Sequence, residues 1–422
     1  MNAREKFLEI LNFNDAITLK WEFGFWGSTI KNWYNQGLPK KEYPRIPTEI
    51  RTTSASLYTT AWTHEWQSGK RNLTENKELE IPNGIGVWGG FLYQPSQGFP
   101  QDKDVASYFD FDKPQSLALI EQFFYPQFEI KILEEDEESI LYIDLDGVTR
   151  KYLRKEATIP TSMKWPITDW DSWNKIKEER LKIDDIEKRF PKDWKVLLDQ
   201  YQKRDYPLVL GGYPVGFFGT PAHLLGYENL FLYYYDKPDL IKDMLNTFTD
   251  IWLALWEEVS SQVEIDAIHI WEDVSSGTAS MVSPATFKEF MAPYYKKVTD
   301  FAKAKKINHV LVDTDGDCNE LIPLLMETGV TGMYPMEASA GMDVFAAKKK
   351  YPDLQIMGGI PKSDIAKGKE AIDKMLEPIA KLLKMGGYIP FGDHLVPPEV
   401  DWQNYKYYRE KLNRLIDKKG HI

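Results

Sequence analysis

Cysteine occurs once in 422 residues, at Cys318. That excludes a disulfide within the chain and any metal site built from several thiolates, so a bound metal would have to rely on oxygen and imidazole ligands. Long apolar runs are also missing, since none reaches about 18 residues. The opening MNAREKFLEILNF reads as an amphipathic helix rather than a leader peptide, and the chain is expected to be cytoplasmic. Nor is there an excess of positive charge. A formal charge of -12 argues against a nucleic-acid surface and against an anionic membrane, and suits a neutral or small substrate.

Aromatic residues are abundant: 14 Trp, 23 Tyr and 21 Phe can pin a large core and its loops, or build a pocket that stacks on a flat ligand. Along the chain, AITLKWEFGFW (16–26) reads as a buried strand running into aromatic loop residues, and the next stretch lacks periodicity. From Phe128 to Lys155, three short alternating runs and an Asp146-Gly147 hairpin, whose two central residues should take positive φ, predict a small antiparallel meander. ITDWDSWNKIKEERL then opens a helix with Asp169 or Asp171 as its cap. From Tyr206 the rhythm is regular. YPLVLGGYP, AIHIWED, HVLVDTDG, TGMYPME, LQIMGGI and GYIPFGD alternate with helical patterns such as Ser283 to Lys305 and Lys369 to Met385. Six such repeats, the strand near residue 18 and GIGVWGG at 84–90 make eight, the count of a (β/α)8 TIM barrel. The expected organisation is one domain over 1–422, with elaborated loops and the meander at about 25–160 and regular repeats at 206–417.

In such a barrel, chemistry sits at the carboxyl ends of the strands. Those ends carry Trp21, Glu22 and Phe23; Gly211, Gly212 and Tyr213; Trp271, Glu272 and Asp273; Asp313, Asp315 and Asp317; Glu337; Gly359 and Lys362; Asp393 and His394. Each alone could be a helix cap or a surface ion pair. The stretch HVLVDTDGDC fits neither of two known motifs. A calcium loop starting at Asp313 needs Gly at its sixth position and Glu at its twelfth, where Cys318 and Leu324 stand. VLVDTDGD also resembles the haloacid-dehalogenase-type phosphatases, but Asp317 replaces the Thr expected after Gly, and too little chain follows for a doubly wound domain. LGGYPVGFFG and MGGIP lack the spacing of a dinucleotide fingerprint or P-loop, so glycine there is read as room for a large ligand near the backbone. Glu272 and Asp273 could share a proton as an acid pair without a metal. His223, His269 and His309 are weaker candidates, placed in a helix start or early in strands.

SPATFKEFMAPYYKKVTDFAK, HVLVDTDGDCNELIPLLMETGVTGMYPMEASAGMDV, IMGGIPKSDIAKG and GGYIPFGDHLVPPEVDWQNYKYY, in this order between about residues 206 and 410, resemble the uroporphyrinogen decarboxylase superfamily. With WEFGFWGSTIKNWYNQGLP near the start, they resemble most its branch of corrinoid (cobalamin)-dependent methyltransferases. The decarboxylases carry an arginine-rich first-strand loop, whereas here no arginine lies between Arg4 and Arg45, and Trp21, Phe23, Phe25 and Trp26 suit a flat, less charged ligand. The resemblance implies methyl transfer from a methoxylated, aromatic compound to cob(I)alamin, the O-demethylase component. Thiol-specific relatives hold zinc through His-x-Cys and a distal Cys; laid on that pattern, Asp313 and Asp315 take the first two places and Asp393 or His394 the last. The implied metal ligands are Glu272, Asp313, Asp315 and His394, suited to zinc and equally, as carboxylates, to magnesium or calcium. Asp273, Glu337 and Asp393 are the proton-transfer candidates, and Trp21, Glu22, Phe23, Trp26 and Tyr213 the substrate-binding ones. No cobalamin-binding Asp-x-His-x-x-Gly motif occurs in the sequence, so the corrinoid would arrive on a partner protein. The sequence leaves open a homodimer, a decarboxylase, and a barrel that only carries a small molecule or tetrapyrrole.

Overall fold

Short apolar runs bounded by glycine and proline become parallel strands where both faces are covered. A computed structural model describes residues 1–14, 18–39, 70–74, 77–80, 103–118, 120–129, 131–144, 146–153, 160–191 and 194–419. Strands β1 (Lys70–Thr74) and β2 (Lys77–Glu80) form an antiparallel pair. After β3 (Ser116–Leu117) come β4 (Lys131–Glu135), β5 (Ser139–Ile143), β6 (Thr149–Leu153) and β7 (Thr161–Lys164), a four-stranded antiparallel sheet. The barrel strands follow: β8 (Leu208–Gly211), β9 (Ala267–Trp271), β10 (Val310–Thr314), β11 (Gly332–Pro335), β12 (Gln355–Met357) and β13 (Tyr388–Ile389).

One curled sheet of seven parallel strands runs β13-β12-β11-β10-β9-β8-β3. The extended segment 18–25 spans the gap between its ends. On the β13 side Thr18 donates to the Tyr388 carbonyl (3.4 Å) and the Gly392 N–H to Glu22 (2.6 Å). On the β3 side the Asp112 N–H donates to the Lys20 carbonyl (3.2 Å) and the Trp21 indole to that of Lys113 (3.1 Å). The architecture is a TIM-type α/β barrel, with segment 18–25 in the eighth position. One expectation falls outside the described residues and one is revised. The remaining strand is β3, two residues after Pro114 and too short for a periodic signal, whereas 84–90 lies outside the described residues. The meander has four strands, and of the Asp146-Gly147 pair at its β5–β6 turn Gly147 takes positive φ (78°) and Asp146 does not. Asp144 organises that turn instead, accepting from the N–H groups of Asp146 and Val148, both at 2.9 Å.

Strand parity sorts the core. Val209, Ala267, Leu311, Tyr334, Met357 and Ile389 gather inside the barrel with Trp21 and Phe23. Their neighbours Leu208, Ile268, Val310, Met333 and Ile356 face outward and pack into the larger helix-covered core. Helix Ala3–Leu11, begun by an Asn2–Glu5 capping box, sends Phe7, Ile10 and Leu11 into the inner cluster and plugs the amino end. Asp169 caps Trp170–Arg180, and Ser283 caps the helical run into Ala292–Ala304, while Pro378 divides Lys369–Leu376 from Ile379–Lys384. Among the described residues no helix is long and apolar enough to cross a membrane.

Candidate active site

Immediately after β9 the backbone of Asp273 turns into the left-handed region (φ 54°), which an aspartate tolerates better than most residues. Among the described residues no donor hydrogen-bonds its carboxylate. Burial, with the charges of Asp315 and Glu337, raises its pKa to about 7 against the opposing pull of His394. Asp315, past the end of β10, sits 3.3 Å from His394 Nε2. Burial works against both charges in this pair, yet attraction wins. Asp315 is held below the usual carboxylate range and His394 above the usual imidazole range, although Lys362 pulls His394 down.

Glu337 follows β11 and accepts from the Gly316 N–H (3.2 Å), the Ser339 hydroxyl (3.1 Å) and Lys362 Nζ (3.3 Å). Asp393, buried after β13, accepts from the backbone N–H groups of Ala338 (3.0 Å) and Lys362 (2.9 Å), with Lys362 Nζ at 3.7 Å. Burial raises its pKa against the attraction of Lys362. Asp393 therefore joins the loops after β11 and β12. Asp273, Asp315, Glu337, Asp393, Lys362 and His394 act on one another electrostatically across the mouth. The Phe23 ring lies 5.1 Å from the His394 ring, and Tyr213 stands edge-on to Trp271 at 4.6 Å.

The other expected site residues are placed elsewhere. Glu272 has the opposite parity to inward-facing Trp271 and turns away from the mouth. It is fully buried and accepts from the N–H groups of Phe217 (3.0 Å), Phe218 (2.6 Å) and Gly219 (3.1 Å) and from the Tyr295 hydroxyl (2.5 Å). With four donors on its oxygens it anchors the loop after β8, and burial raises its pKa. Glu22 likewise turns out of the barrel, accepting from Gly392 N–H (2.6 Å) and Tyr405 (3.2 Å), with buried Arg409 at 3.8 Å. Trp21 is inward but low, against Phe7 of the plugging helix at 5.7 Å, with its indole donating to the Lys113 carbonyl. Trp26 is half-buried as the N-cap of Gly27–Asn35. Asp313 shares the inward parity of Leu311 and pairs in register with Tyr334. Among the described residues, no three His, Cys, Asp or Glu side chains converge as a metal centre needs. The expected set of Glu272, Asp313, Asp315 and His394 therefore does not fit zinc, because Glu272 already serves four donors and no three of the set converge among the described residues.

The strand-end glycines are demanded by the fold rather than by a ligand. A Cβ on Gly211 would lie 2.0 Å from the His269 carbonyl oxygen, one on Gly212 2.9 Å from Leu117, and one on Gly359 2.0 Å from Val344. Two further residues belong to the mouth: Trp271, signalled by its place just before Glu272-Asp273, and Tyr227, which the sequence did not single out. Packing and the charges of Asp273 and Asp315 push the Tyr227 phenol up to about 12.

A family model for uroporphyrinogen decarboxylase (URO-D) matches residues 155–415, more than half of the chain. The chain belongs to the URO-D family. The uroporphyrinogen decarboxylase of Sulfurovum sp. (strain NBC37-1) is 24% identical over 187 residues, covering 44% of this chain and 51% of the relative. That of Chlorobium phaeobacteroides (strain DSM 266 / SMG 266 / 2430) is 26% identical over 181 residues, covering 41% and 48%. The chain thus spans about half the length of the curated relatives it matches. A solved methyltransferase from Methanosarcina mazei is 18% identical, with a TM-score of 0.45, covering 64% of this chain and 76% of that one. The span matched to the URO-D family holds every mouth carboxylate named above, whereas Phe23 and β3–β6 precede it.

Proposed function

We propose that this URO-D family barrel is a methyltransferase that takes the methyl group of a methoxylated, aromatic compound and passes it to the cob(I)alamin of a separate corrinoid protein. The observation that carries the reading is Asp273, a mouth carboxyl without a hydrogen-bond donor among the described residues and with a pKa raised to about 7. An ether releases its methyl group only if the oxygen leaves, and an unassisted alkoxide or phenoxide is a poor leaving group. The corrinoid, when its carrier is docked, supplies the electron pair that forms the new bond to the methyl carbon. The C–O pair stays on the donor oxygen, which takes the Asp273 proton and departs as a hydroxyl. General acids placed in this way contribute about 10²–10⁴-fold. His394, whose cationic form Asp315 favours and whose charge acts on Asp273, can return the proton. Phe23, Tyr213 and Trp271 supply aromatic surface for the ring of the donor.

The family name favours a second reading, decarboxylation of a carboxylated tetrapyrrole. Against it, among the described residues the charged partners that hold the mouth carboxylates are Lys362 and His394 rather than arginines. One experiment separates the readings: purified protein incubated with 1,2-dimethoxybenzene, reduced cobalamin and a corrinoid protein, and in parallel with uroporphyrinogen. Methylcobalamin and 2-methoxyphenol support methyl transfer. Loss of uroporphyrinogen without methylcobalamin makes the chain a decarboxylase, and no product in either arm makes it a carrier.

A further inference from the structure

The antiparallel sheet lies before the family-matched span, apart from β7, yet its β5–β6 turn reaches the barrel. Asp146 Oδ2 sits 3.0 Å from His223 Nε2, with both side chains at most 6% exposed. The Tyr213 hydroxyl stands 3.2 Å from the other ring nitrogen, Nδ1, and 3.4 Å from Nε2, and Arg150 Nη2 lies 3.5 Å from Nδ1. Arg150 is held by Asp144 (2.5 Å) and by the Ser162 hydroxyl (2.9 Å). A guanidinium can only donate, so Nδ1 is the accepting nitrogen and the ring proton sits on Nε2, directed at Asp146. Burial and the Arg150 charge, against the attraction of Asp144, push His223 down to about 3, so the ring is neutral; burial raises Asp146 to about 7 against the pull of Arg150. Tyr213, whose hydroxyl this ring receives, follows β8 and stands edge-on to the half-buried ring of Trp271, two residues before Asp273.

We propose that Asp146 is a positioning residue for the mouth: by selecting the Nε2–H tautomer of His223 it fixes the Tyr213 hydroxyl, and with it the Tyr213–Trp271 wall on which the methyl donor lies. This rests on the reading of the mouth as a methyl-donor site. It also assigns to a sheet that precedes the family match a part in choosing the substrate, separate from the proton chemistry of Asp273.

Histidine-labelled protein tests the first link. Nitrogen NMR at about pH 8, above the Asp146 value of about 7 and so with an acceptor-only carboxylate, should show His223 neutral and protonated on Nε2, and Asp146→Asn, whose amide can present either an acceptor or a donor, should populate the second tautomer. An Nδ1–H tautomer or an imidazolium in the wild type overturns the proposal, as does an unchanged spectrum in the variant. Kinetics test the second link. Asp146→Asn and Tyr213→Phe should each raise KM for 1,2-dimethoxybenzene about tenfold with kcat within about twofold, and the double variant should be no worse than either single one. Losses that add in the double variant, or a fall in kcat at unchanged KM, overturn it. If the wild type transfers no methyl group, the functional reading fails and calorimetric binding of 1,2-dimethoxybenzene becomes the readout. Weaker binding by both variants then upholds the wall, whereas equal binding, or none by the wild type, overturns it.

Discussion

At the amino end of the barrel, Asp266 accepts from Arg4 (2.8 Å), Arg204 (2.9 Å) and the Leu208 N–H (2.8 Å), while His309 meets Gln355 at 2.9 Å. At the carboxyl end, Asp273 has no such donor among the described residues, and Asp315 leans on a single histidine at 3.3 Å. Both ends hold acids in partly or fully buried settings. At the amino end geometry stabilises the charge and so serves the fold. At the mouth the charged form of Asp273 is disfavoured, which leaves a proton available to a ligand. Burial disfavours the charge of both acids in one dipeptide, but there the donors still differ: Glu272 receives four and its neighbour Asp273 none among the described residues.

Exchanging the acid at each position gives the sharpest way to break this contrast. Asp273→Asn should lower kcat for methyl transfer about 10²–10⁴-fold. The wild-type rate should fall as pH rises through about 7, where Asp273 loses its proton, and the variant should lack that limb. Stability follows with a fixed sign. The folded pKa of about 7 lies above the ordinary aspartate value, so between the two the native state holds a proton that the unfolded chain has released. Asp273 therefore contributes most at acid pH, and that contribution is lost as pH rises to about 7 and is level beyond it. Denaturant unfolding of Asp273→Asn should show a flatter pH dependence. Glu272→Ala should do the reverse, costing about 3–4 kcal/mol of stability because its buried N–H donors lose their acceptor. A stable Glu272→Ala protein with impaired proton transfer would erase the distinction between the two residues.

A smaller effect is expected from His394→Gln. Its cation lowers the pKa of Asp273, so removing it should move the alkaline limb of the rate to higher pH and cost about tenfold in kcat. An unchanged pH profile would mean that His394 and Asp273 do not share an electrostatic field.

Much of the barrel was legible because its strands, covered on both sides, read as apolar runs ending in glycine, proline and acids. Every charged residue now grouped at the mouth stood at one of those expected ends. What stayed hidden was orientation. Glu272 and Asp273 look interchangeable in sequence, and their division depends on strand parity together with the φ of 54° at Asp273. Trp21 and Phe23 both point inward, but only the second stands beside His394, since the first is low enough to meet the plugging helix. The Asp146–His223 contact joins residues 77 positions apart, and nothing local in either segment signals it.

Arg4→Met tests the amino end and should have the smallest effect. It removes one of the two arginines on Asp266 and the Arg4 contact to Glu264, which is 82% exposed. Arg204 and the Leu208 N–H still hold Asp266, so no buried charge is left unpaired, and the cost should be about 0.5–1 kcal/mol. The plugging helix keeps Phe7, Ile10 and Leu11 in the inner cluster, so kcat and KM should stay at wild-type values. A loss of activity beyond the loss of folded protein would mean that the plug communicates with the mouth through the barrel interior, and the two ends could then no longer be treated as independent.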